Sequence, residues 1–220
     1  DQTASSVGDT VAIDFENPEA PVVRPIEANL EGLGLALCII DCGADHAALT
    51  GEYASIPQEM CQVAAYFGKK VLREVKEADV LANLPALRQK VGDRAVLRAL
   101  HFYADDQRAV EEADALANGE KETFLNLVKE SGRSSWELLQ NITPAAAVAH
   151  QDMAIALTVA EKALNGEGVC RVHGGGFAGT IQAFVPLEKV SAFKKTVESM
   201  LGEGCCHVLS IRPAGGIVLE

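Results

Sequence analysis

The chain has 220 residues, 48% of them hydrophobic and 23% charged. That is the composition of a globular chain with its own core, and it excludes a disordered, collagenous or low-complexity segment. Nineteen Lys and Arg face 31 Asp and Glu, a net charge of −12, so neither nucleic acid nor an anionic membrane surface is an expected partner.

In chain order, the pattern opens at Asp1, with no charged n-region or apolar h-region of a signal peptide. Residues 10–15 and 22–26 are β-like and flank Asn17-Pro18, which predicts a hairpin whose second strand carries Pro25 and lies at an edge. Residues 33–41 form a near-continuous apolar run, expected as a strand covered on both faces. Its apolar stretch is far shorter than the roughly 20 residues of a membrane-spanning helix. Pro57 is placed to open a helix, in which Met60, Val63, Ala64, Phe67 and Val71 recur at helical spacing. A short helix is expected to end before Pro85. Residues 93–117 read as one long helix, with Val96, Leu100, Tyr103, Val110 and Ala113 on one side and Asn118-Gly119 as the stop. Phe124, Leu127 and Val128 mark the next helix, ended by Gly132. A brief one follows from Ser134 or Ser135, and another runs from Thr143-Pro144 to Asn165-Gly166. From Val169 the texture is β again. A glycine loop spans 173–179 and a strand spans 180–185. An amphipathic helix then covers 187–201, and strands are expected at 207–211 and 217–219. Strands, a block of helices, then strand–helix–strand–strand is an α+β order, an antiparallel sheet with helices packed on one side.

The six cysteines (Cys38, Cys42, Cys61, Cys170, Cys205, Cys206) suggest no disulfide framework and no C-x-x-C pair. Cys205-Cys206-His207 and Cys170-x-x-His173 each lack a second half-site for zinc. Free thiols in a reducing cytoplasm are the expectation, with no metal site. Gly174-x-Gly176-x-x-Gly179 matches G-x-G-x-x-G literally. The segment after it is a strand where a dinucleotide fold needs a helix, so that fold is rejected. The loop is either a tight turn ahead of a core strand or a backbone that approaches a ligand. The carboxylate pairs Asp105-Asp106 and Glu111-Glu112 read as a solvated helix face.

Four segments together resemble the galactokinase branch of the GHMP small-molecule kinases. Asp1-Gln2 followed by the run at 11–14 is similar to the family's M-D-Q segment and the strand after it. His46, Leu49, Glu52 and Tyr53 resemble its H-x-x-x-x-x-E-Y stretch, with Cys61 beyond. His101 with Asp106-Gln107-Arg108 is similar to R-H-x-x-x-E-N-x-R. Residues 171–179, with Gly174, Gly175, Gly176, Phe177 and Gly179, resemble R-M-T-G-G-G-F-G-G, the third GHMP motif. Departures from the pattern are Asp45 for an arginine, Ile56-Pro57 where the family has an arginine pair, Gly132 for a histidine, and His173 for a threonine.

The resemblance implies a ferredoxin-like GHMP kinase C-terminal domain over residues 31–220, and over residues 1–30 the end of a preceding kinase domain that leaves a short N-terminal β-hairpin. It implies a parent enzyme that moves the γ-phosphoryl group of ATP to a monosaccharide hydroxyl, with ATP and Mg²⁺ as its cofactors. Asp1 matches the aspartate that accepts the hydroxyl proton, and Tyr53 matches a tyrosine that contacts the sugar. The family's ATP-binding motifs precede M-D-Q. This chain is therefore expected to be inactive alone, to hold neither cofactor tightly, and to need the missing N-terminal domain as its partner. The alternatives are a sugar- or ligand-binding pseudokinase module, or a GHMP kinase for another small molecule.

Overall fold

The computed structural model describes residues 2–43 and 49–216. Asp1, Asp45, His46 and the strand expected at 217–219 lie outside the described residues.

A short helix α1 (Gln2–Val7) precedes a two-stranded antiparallel sheet of β1 (Thr10–Asp14) and β2 (Val22–Ile26). Thr10 pairs with Ile26 and Asp14 with Val22. In a two-stranded sheet both strands are edges, which is why β2 tolerates Pro25. Arg73 binds Asp14 through two hydrogen bonds, at 2.7 and 2.9 Å.

The main sheet has four antiparallel strands in the order β4-β5-β3-β6. They are β3 (Leu35–Asp41), β4 (Val169–Val172), β5 (Thr180–Pro186) and β6 (Cys206–Leu209). Alternation along the strands sends Cys38, Ile40, Val172, Ile181, Ala183, Val185 and Cys206 to one face. There they meet α7 (Asp152–Leu164) through Met153, Ala156, Leu157 and Ala160, and α8 (Val190–Leu201) through Phe193 and Val197. On the other face, Val169 and Phe184 meet Phe124 and Val128 of α6 (Lys121–Ser134). The α+β class and the antiparallel sheet are those expected; helices cover both faces rather than one, α7 and α8 on one and α6 on the other, because both faces of the sheet are apolar. The apolar run of β3 is thus covered twice over, as its lack of polar residues predicts.

A second cluster lies mainly among helices. It joins α2 (Thr50–Tyr66), α3 (Glu77–Ala82), α4 (Leu84–Val91) and α5 (Asp93–Ala117), with Val63, Ala64, Val80, Leu87, Val96 and Ala99 at its centre.

Several boundaries differ from the sequence reading. Pro57 lies inside α2 rather than at its start, because Thr50 already begins the helix. Val71 is extended and outside α2, since Gly68 takes a positive φ after Phe67. Pro85 stands in the first turn of α4, where its missing N–H costs nothing. Residues 143–151 form turns, and α7 begins at Asp152, not at Thr143-Pro144. α5 has the expected ends, with Gly119 at φ 69° beyond them. Val110, however, is exposed, because the helical cluster that covers Val96 and Leu100 stops at Tyr103.

Gly132 does not end α6. The helix runs on to Ser134 and continues as a π-helical turn over Ser135–Leu139. A Cβ at Gly132 would lie 2.8 Å from Cβ of Arg171, so this glycine is where α6 rests on β4. Past β6 the chain returns to α1. The Asp9 N–H donates to the Arg212 carbonyl at 2.8 Å, and Gly216 to Ser6 at 3.0 Å.

Candidate functional site

The glycine loop links β4 to β5 and is closed at its base by His173. Its N–H donates to the Thr180 carbonyl (3.2 Å), and its Nδ1 shares a 2.9 Å hydrogen bond with Thr180 Oγ1. Two elements hold the loop from outside. Tyr53, in the first turn of α2, donates its hydroxyl to the Gly176 carbonyl at 2.8 Å and sets its ring edge-on to Phe177, with centroids 5.5 Å apart. Asn141, just past the π turn, accepts the Phe177 N–H on its main-chain oxygen (2.6 Å) and donates Nδ2 to the Gly175 carbonyl (3.1 Å).

This grip needs glycine at one point above all. Gly176 has φ 84°, and a Cβ there would lie 2.1 Å from the Asn141 carbonyl oxygen. Phe177 itself is held at φ 60°, unfavourable for a side-chain-bearing residue. Its ring is buried, which offsets that strain. The loop therefore divides in two: Gly176, Phe177 and Ala178 are buried, while His173, Gly174 and Gly175 are exposed. The loop is a tight turn feeding the core strand β5, and its Gly174-Gly175 pair faces outward, with free space around Gly174.

Of the residues singled out from sequence, Tyr53 and the glycine motif come together here. Tyr53 is half-buried, burial pushes its phenol up, and its hydroxyl is bonded to the loop. Glu52, beside it, accepts the Ala145 N–H at 2.9 Å. Asp1 lies outside the described residues.

A second polar group lies behind the loop, between α5, α6 and β4. His101 Nδ1 pairs with Ser134 Oγ at 2.8 Å, and its Nε2 is 3.5 Å from Asp105. Asp105 accepts from Ser131 Oγ (2.7 Å) and Arg108 (3.1 Å), and Arg171 donates to Ser131 Oγ at 2.6 Å. Asp105 is thus a structural acceptor, which corrects its reading as solvated; Asp106 and Glu111 are exposed as expected, and burial pushes the Glu112 carboxyl up. Burial also holds the His101 imidazole below its ordinary 6.5, opposed by the Asp105 carboxylate and aided by the Arg171 and Arg108 guanidinium groups. The unfolded chain then takes up the proton first, so this group costs stability as pH falls through about 6.5. Thermal unfolding from about pH 7 to about pH 5 is expected to show wild type losing stability faster than His101→Gln. Parallel curves would contradict the buried neutral imidazole.

Sequence reasoning missed Asn141, Glu59 and Arg98. Asn141 carries no motif. Arg98 and His101 did carry a signal, polar residues on the apolar stripe of α5 made by Ala95, Val96 and Ala99.

No protein-family model matches the chain. Curated relatives do. The galactokinase of Pasteurella multocida (strain Pm70) is 30% identical over 204 residues, covering 90% of this chain and 48% of that protein. The galactokinase of Glaesserella parasuis serovar 5 (strain SH0165) is 30% identical over 164 residues, covering 74% and 41%. The chain is galactokinase-like. Solved structures agree on the fold of this galactokinase-like chain. Lactococcus lactis galactokinase complexed with galactose matches with a TM-score of 0.67 at 20% identity, over 94% of this chain and 53% of that one. Mevalonate diphosphate decarboxylase from Staphylococcus aureus matches with a TM-score of 0.54 at 12% identity, over 91% and 50%. The fold is that of the matched parts of these two structures. The galactokinase-like chain spans less than half the length of the two curated relatives.

Proposed function

We propose that the intact protein containing this chain is a sugar kinase that moves the γ-phosphoryl group of ATP to a hydroxyl of galactose or a related monosaccharide. Residues 31–220 are read as its C-terminal domain and residues 1–30 as the end of the N-terminal kinase domain, with which this chain would form the complete site. The observation that carries the reading is the 30% identity to a galactokinase across 90% of the chain. The pairing of Tyr53 with the glycine loop supports it.

The described residues do not fit a nucleotide–metal cradle. Among them no three His, Cys, Asp or Glu side chains come together as a metal set. The loop amides of Phe177 and Ala178 are spent on the Asn141 and Gly176 carbonyls. On the family resemblance, ATP and Mg²⁺ are assigned to parts of the parent outside this chain, and the chain alone is read as inactive. When bound, they would supply the phosphoryl group and screen its charge. Asp1 is assigned the acceptor role for the hydroxyl proton, a task a carboxylate suits chemically. Tyr53 is assigned to the sugar side. All six cysteines are free thiols, with which a cytoplasmic location accords.

The test is ADP release by the intact protein across a panel of monosaccharides and polyols, with binding followed by calorimetry. Galactose or a close relative is expected to turn over best. A polyol as best substrate would overturn the galactokinase reading, and sugar binding without ADP release would favour a binding module.

A further inference from the structure

Arg98 sits in the second turn of α5 with no exposed surface. Its Nη1 donates to Glu59 Oε2 at 2.9 Å and to Ser55 Oγ at 2.8 Å. Its Nε donates to the Leu139 carbonyl at 3.0 Å. Leu139 ends the π turn, two residues before Asn141. Between them Gln140 adopts a left-handed conformation, φ 57° and ψ 49°. The peptide that grips the glycine loop is therefore carried by an irregular turn, and the Arg98 guanidinium holds that turn from the helical side. One continuous path runs from Glu59 through Arg98, the Leu139 carbonyl and Asn141 to Gly175 and Phe177. Two buried polar atoms near this path have no hydrogen-bond partner among the described residues, Arg98 Nη2 and Asn141 Oδ1.

An arrangement of this kind is a poor way to gain stability. Apolar side chains of similar volume usually replace a buried ion pair without loss. An Arg also differs from every apolar substitute, and from Lys, in the rigid fork that reaches several acceptors at once. We propose that Arg98 is a positioning residue. It fixes the 139–141 turn and through it the glycine loop, with Glu59 as the anchor that orients the guanidinium. The proposal stands on this geometry; only its kinetic consequence rests on the sugar-kinase reading.

Two variants of the intact protein test it. Arg98→Lys keeps a positive charge opposite Glu59, but a single ammonium cannot span Glu59, Ser55 and the Leu139 carbonyl together. Arg98→Met combined with Glu59→Met removes both charges and leaves a foldable apolar site. In both, hydrogen exchange of the Phe177 amide is expected to rise about tenfold or more, while amides of the β3–β5 ladder stay within about twofold of wild type. An unchanged Phe177 amide, or an equal rise across the ladder, would overturn the positioning role. In turnover assays of Arg98→Lys, kcat/KM for the sugar is expected to fall about tenfold with KM for ATP within about twofold. A wild-type protein without turnover would defeat the kinase reading and leave the exchange result to decide this one.

Discussion

Gly176→Ala is expected to destabilise the chain by about 3–4 kcal/mol, a fall in Tm of roughly 6–16 °C for a chain of this size. Two terms combine. A side chain at φ 84° is strained, at a cost of about 1–2 kcal/mol. The new Cβ would also stand 2.1 Å from the Asn141 carbonyl oxygen, which is backbone and already receives the Phe177 N–H. Relief requires breaking that hydrogen bond or moving the 139–141 turn. Gly174→Ala is the control. It shares a positive φ of 68° but meets nothing within 4 Å, so only the strain of about 1 kcal/mol remains. Thermal unfolding of the two variants side by side separates crowding from strain, and equal losses would show that the Asn141 contact does not constrain the loop.

Glu59→Ala carries an expected loss of similar size, about 3–5 kcal/mol. Glu59 accepts from Arg98 at 2.9 Å and from Arg94 at 2.6 Å. Arg94 is partly exposed and can be solvated when its partner goes. Arg98 cannot, because no part of its side chain reaches the surface. Its uncompensated charge is what the substitution costs. Removing both charges, with Met at 59 and 98, is expected to return stability to within about 1–2 kcal/mol of wild type. Urea unfolding of Glu59→Met, Arg98→Met and the double variant gives the coupling directly. A Glu59→Ala loss under about 1 kcal/mol would mean that the guanidinium finds water or another acceptor.

These two positions also mark what the sequence disclosed and what it withheld. The strands were legible because residues 35–41 and 180–186 are apolar runs with no helical period, and α5 because nothing interrupts it before Asn118-Gly119. Pro57 and Gly132 misled because both stand inside helices for tertiary reasons. α2 begins seven residues before its proline, and Gly132 is selected by the nearness of Arg171. At the site, the glycines were legible as a G-x-G-x-x-G loop, and Tyr53 was found through resemblance, which suggested proximity to substrate. The structure adds that they hold each other, with the Tyr53 hydroxyl on the Gly176 carbonyl. Asn141 could not be read in advance. Its role comes from a π turn that no local pattern announces and that brings residue 141 beside residues 175–177.

The most direct test of the proposed chemistry is phosphorus NMR of the intact protein mixed with ATP, Mg²⁺ and galactose, run beside its Asp1→Asn variant. The account predicts a sugar monophosphate resonance that grows in step with ADP, and a rate at least about a hundredfold lower in the variant, the scale of a lost proton acceptor. Unchanged ATP in the presence of bound galactose, or an Asp1→Asn variant as fast as wild type, would contradict it.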